Sequence, residues 1–115
     1  MTRHRYYLSI ADLSHARGED PRFAWDGVGP NDFAAAWQDA LRGDGLFQRW
    51  RAAQSDPDAV EDALAAVDPV ALVSARVADL HTEVELTTSL PMSVVRHRLN
   101  LLIGAAWQLR DMRAA

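Results

Sequence analysis

Asp12, Ser14 and His15 place an acid, a hydroxyl and an imidazole within four residues, directly after a strand-like segment. A serine nucleophile needs a base oriented by a third group, and strand ends often host such sets. Side chains this close in sequence usually diverge, so a polar loop start is the plainer reading. Trp25 falls in the same loop, and Asp12, His15 and Trp25 together outline a candidate ligand pocket under residues 13–31. The remaining histidines, His4, His81 and His97, are scattered. None makes the i, i+4 pair of a metalloprotease helix or a finger spacing, so no metal site is expected.

All 12 basic side chains are arginine, and the chain has neither lysine nor cysteine. Schiff-base chemistry and the P-loop need lysine; thiol nucleophiles, thiolate zinc sites and cysteine-ligated clusters need cysteine. No cofactor is implied. Gly43-Asp44-Gly45 and Gly27-Val28-Gly29 are too short for phosphate loops and read as caps and turns. The net charge of -4 disfavours nucleic acid as a partner. A local patch of Arg49, Arg51, Arg96, Arg98, Arg110 and Arg113 lacks exposed aromatics at RNP-like spacing. Asp56, Asp58, Glu61, Asp62 and Asp68 read as a solvated acidic face.

These residues must be positioned by a small domain. One domain, residues 1–115, suits this length, and a 49% hydrophobic fraction with four tryptophans points to a packed core. No signal-peptide or membrane-length apolar run is present, so the cytoplasm is the default compartment and a membrane is not an expected partner. Arginine-only usage with abundant alanine suggests a GC-rich bacterial source.

Tyr6, Leu8 and Ile10 alternate with Tyr7, Ser9 and Ala11, which predicts a strand over 5–12. Residues 13–31 form a long connection, in which Phe23 and Trp25 have the spacing of a short extra strand. A helix is expected from about Asp32 to Gly43, a second after Asp44, and a third from Pro57 to Val67 behind the start Ser55-Asp56-Pro57-Asp58. Residues 71–89 predict a hairpin with a four-residue loop near Asp79–Thr82. Its expected register sets Val77 against Val84, Ala75 against Leu86 and Arg76 against Glu85.

A last helix is expected over about 92–113, with apolar residues spread over roughly 240° of its wheel. A stripe of about 100° suffices for packing on one sheet. The excess lies around Ile103 and Trp107, with two readings: helices of the same chain cover it, or a second chain does. Arg98 falls inside the apolar arc. Its stem is expected to pack while the head reaches the rim, with a partner contact through its fork as the alternative.

The fold class expected is α+β: an antiparallel sheet of about three strands on three to four helices, ending in a long C-terminal helix. The expected function is a non-catalytic protein–protein interaction module, an adaptor, chaperone-like binder or inhibitor. Its contact surface comprises Ile103, Trp107 and Arg98, and it meets a protein partner or a second copy as a homodimer. The alternative is a small enzyme or ligand-binding domain using the pocket under 13–31.

Overall fold

The computed structural model describes residues 2–115. Strand β1 (His4–Ile10) leads through a long loop to helices α1 (Pro30–Arg42) and α2 (Gly45–Ala52). A coil with two short 3-10 turns then enters the hairpin β2 (Leu72–Ala78) and β3 (His81–Thr88). Helix α3 (Met92–Ile103) and strand β4 (Gln108–Ala114) close the chain. The sheet order is β2-β3-β1-β4 with every neighbouring pair antiparallel. This is the split β-α-β, or ferredoxin-like, arrangement, and it is α+β as expected. Among the described residues, no helix is long and apolar enough to cross a membrane.

Alternation decides the two faces of the sheet. Tyr6, Leu8 and Ile10 of β1 and Val84 and Leu86 of β3 are buried under α1 and α3. Helix α1 contributes Phe33, Trp37 and Leu41, at successive i, i+4 positions of one face. Helix α3 contributes Val94, Val95, Leu99, Leu102 and Ile103. The other face carries paired charges: Arg5 with Glu85, Arg76 with Glu83, and Arg113 with Asp111. Antiparallel sheets commonly leave one face to water in this way.

The long C-terminal helix is not formed. Helix α3 stops at Ile103, Gly104 takes φ 65°, and the chain returns as a fourth strand beside β1. The sequence misleads here for a physical reason. A β-bulge at Arg110 sets Leu109 opposite Leu8 and Met112 opposite Tyr6, so two residues three apart share one face. That spacing imitates a helix.

The third expected helix is also absent. Residues 57–67 make two 3-10 turns, Pro57–Ala59 and Asp62–Ala65. Tertiary contacts override propensity: the Arg98 guanidinium donates to the carbonyls of Leu64 and Ala66, acceptors that a helix would point along its own axis. Asp68 pins the end of this coil. Its carboxylate accepts from the Thr88 hydroxyl at 2.7 Å, from the amides of Val70 and Ser89, and from Arg3.

The hairpin forms with a two-residue turn at Asp79-Leu80 and the register moved by two. Arg76 faces Glu83, Ala75 faces Val84 and Val77 faces Thr82. Asp79 supplies the left-handed φ of 55° that a tight turn needs. A two-residue move keeps each residue on its face, so the expected in–out pattern survives while every partner changes. Phe23 and Trp25 form no strand; both rings pack into the core.

Candidate interaction edge and neighbouring clefts

The loop after β1 lies across the end of α3. Gly18 and Trp25 both donate their amides to the Leu102 carbonyl. Gly18 is required by close approach, since a Cβ there would sit 2.1 Å from the Leu101 carbonyl oxygen. Trp25 is buried, its indole donating to the Ala16 carbonyl at 2.6 Å, with the Arg17 guanidinium 4.1 Å above the ring. It is therefore a core residue and lies apart from the polar cluster before it.

That cluster is closed on itself. Ser14 Oγ donates to Asp12 Oδ1 at 2.7 Å and lies 3.1 Å from His15 Nδ1, which is 2.7 Å from Asp12 Oδ2. These bonds hold the Asp12 carboxyl below its ordinary range, the Ser14 hydroxyl contributing most and His15 next. In a working triad the serine meets one ring nitrogen and the acid the other. Here both meet Nδ1, so Ser14 is not activated. Asp12 and His15 do line a cleft of about 530 Å³ with Ser9, His81, Trp107 and Arg110.

The three residues expected on one contact face are separated. Ile103 is 1% exposed and belongs to the core. Trp107 lies beyond the helix end, half-buried, and donates to Asn100 Oδ1 at 2.8 Å. Arg98 is fully buried. Its fork takes the carbonyls of Ala40 (3.1 Å), Leu64 (2.9 Å) and Ala66, tying α3 to the end of α1 and to the 3-10 coil. Burial lowers its pKa, opposed by the charge of Asp44. The head does not reach the rim; Val94, Val95, Leu99, Leu102 and Ile103 of the apolar arc are buried within the chain, while Ala105, Ala106 and Leu109 lie exposed beyond the helix end.

Sequence reasoning missed two features. His97 packs against the rings of Trp50 (4.3 Å) and Phe47 (5.9 Å), and both its ring nitrogens are buried with no hydrogen-bond partner among the described residues. Burial, and then the neighbouring Arg98 charge, push its pKa down and favour the neutral ring. A cleft of about 850 Å³ opens beside it, walled by Arg17, Phe23, Trp50 and Asn100.

The second feature is β4. All seven of its residues are exposed, with Leu109 at 43% and Met112 at 53%. Arg110 donates its Nε to the buried Ser9 hydroxyl at 2.9 Å. Its two terminal nitrogens find no acceptor, and no carboxylate pairs with it, among the described residues. The opposite edge is guarded, because the Val73 amide is taken by Gln38 Oε1 at 3.1 Å. A clue to β4 was present in sequence as the exposed-type string Gln108-Leu109-Arg110-Asp111-Met112-Arg113, once Gly104 is read as a helix stop.

On the open face, β1 and β3 present Tyr7 among Glu83, Glu85 and paired arginines, which gives no run of stacking rings for bases. Comparison with protein-family models, curated proteins and solved structures finds no match to this chain.

Proposed function

We propose that this chain is a non-catalytic interaction domain that lends its uncovered β4 edge to another polypeptide strand. One observation carries the reading. The bulge at Arg110 brings Leu109 and Met112 to one face beside an edge that none of the described residues covers. Edge strands offer a row of unpaired backbone groups, and strand addition is a common mode of recognition. The closed Asp12–Ser14–His15 geometry supports a non-catalytic reading. A cytoplasmic setting belongs to the same proposal, and the cysteine-free composition is compatible with it.

The test is site-specific photocrosslinking in the native cell. A benzophenone residue at Met112 is expected to give a discrete protein adduct, whereas one at Val28, 89% exposed on a loop, is not. Adducts absent at both positions, or equal at both, would refute the edge reading.

A second reading rests on a separate observation, the convergence of His15, His81 and Trp107 on one cleft. It makes the cleft a small-molecule site. A fragment screen followed on the His15 and His81 ring protons tests it, and unmoved resonances across the screen would discard it.

A further inference from the structure

We infer that the partner strand is β4 of a second copy of this chain, paired antiparallel about a two-fold axis between Arg110 and Asp111. The inference rests on the proposed role of β4 as a docking edge and names its occupant.

Self-pairing across a two-fold axis leaves few registers. An axis through Arg110 sets arginine on arginine, and one through Asp111 sets aspartate on aspartate. An axis between Asp111 and Met112 opposes Arg110 to the partner's Arg113. An axis between Arg110 and Asp111 opposes Arg110 to the partner's Asp111, Leu109 to the partner's Met112, and Gln108 to the partner's Arg113. Unlike charges meet unlike charges, and each half-exposed apolar side chain meets the other.

The faces agree with this register. Leu109 and Met112 lie opposite Leu8 and Tyr6, both inward residues of β1. Asp111 lies opposite Tyr7, and Arg110 reaches Ser9, both on the outer face. The backbone agrees as well. The Met112 amide is taken by Asp111 Oδ1 at 2.8 Å and so points away from β1. Leu109 lies opposite Leu8, two residues along β1 from Tyr6, and shares that orientation. Leu109 and the partner's Met112 thus present N–H and C=O to each other, and the symmetric pair does the same, for about four inter-strand bonds.

In the free chain Asp111 is occupied by its own Met112 amide and by Arg113 Nε at 2.8 Å. Pairing exchanges the amide for the Arg110 fork of the other copy, whose two terminal nitrogens have no acceptor among the described residues. The same charges repel a foreign strand lacking this pattern, so attraction and exclusion come from one pair of residues. The β2 edge offers no comparable match: its only charge is Arg76, and Gln38 caps it.

Charge exchange tests the register. Wild type is expected to sediment as a dimer. Arg110→Asp and Asp111→Arg, each opposing like charges, are expected to sediment as monomers with an unchanged circular dichroism spectrum. The double variant R110D/D111R restores unlike pairs and is expected to recover the dimer. A wild type monomeric at every concentration would overturn the inference, as would single variants that dimerise normally or a folded double variant that stays monomeric. A Met112 crosslink to a different protein, with a monomeric wild type, would remove self-pairing and leave the docking edge standing. Loss of both results would remove the edge reading too.

Discussion

Arg98 is the residue on which three segments depend. A guanidinium without exposed surface is costly unless its donors are met, and here backbone carbonyls of Ala40, Leu64 and Ala66 meet them. Three of its five N–H donors are used in this way, and Nε has no partner among the described residues. Arg98→Leu keeps volume and apolar contact but orphans three carbonyls. It is expected to lower stability by more than about 3 kcal/mol in urea unfolding, because bonds to a charged group contribute about 1.5–3 kcal/mol each. Arg98→Lys is expected to recover only part of this loss, since an ammonium lacks the planar fork. A variant as stable as wild type would show that the three segments do not depend on the Arg98 fork.

At the scale of elements, the β2–β3 hairpin separates what alternation can tell from what it cannot. Leu86 is fully buried, and Leu86→Ala is expected to cost about 2–5 kcal/mol by thermal or chemical unfolding. Arg76 pairs with Glu83 in the open, and Arg76→Ala is expected to cost about 0–1 kcal/mol. Both expectations follow from in–out alternation, which the sequence displays plainly. The pairing partners did not follow from it, because a shift of two residues leaves alternation untouched and only the turn chooses between registers. Asp79 was the deciding residue, and its tolerance of positive φ is weaker evidence than a glycine would be.

The strand β1, the helices α1 and α2 and the start of α3 were legible for the same reason, as periodic apolar residues bounded by Pro30, Gly43 and Pro91. What stayed hidden depends on contacts distant in sequence: the coil held by Arg98, and the bulge that disguises β4. Of the candidate site residues, Asp12 and His15 lie beside each other on one cleft, while Trp25 and Ile103 are drawn inside by packing. Arg110, Leu109 and Met112 went unseen because they were read onto a helix.

For the molecule as a whole, the neutral state of His97 links folding to pH. Its folded pKa lies below the ordinary histidine value of 6.5, with burial the main cause. The unfolded chain therefore binds a proton that the folded chain refuses, and stability rises with pH up to about the unfolded value. The contribution is fully present above 6.5 and is lost as pH falls through the lower folded value. The unfolding midpoint is expected to drop as pH falls below 6.5, and His97→Phe, placed among Trp50 and Phe47, is expected to flatten that slope. An unchanged slope in the variant would show that another group sets it.

The position of β1 has a consequence for how the chain is made. It is translated before the other elements described, yet it lies in the interior of the sheet: His4 pairs with Thr88, and Ser9 pairs with both Glu83 and Gln108. Its Tyr6, Leu8 and Ile10 must stay unsheltered on the nascent chain until the hairpin and then β4 have been translated. Contacts so remote along the chain form slowly, because loop closure must precede any gain from pairing. The half-made protein thus passes through a period in which a central strand of its sheet has no neighbour, and a pause in translation before His81 would lengthen that exposure to chaperones and to other unfinished chains.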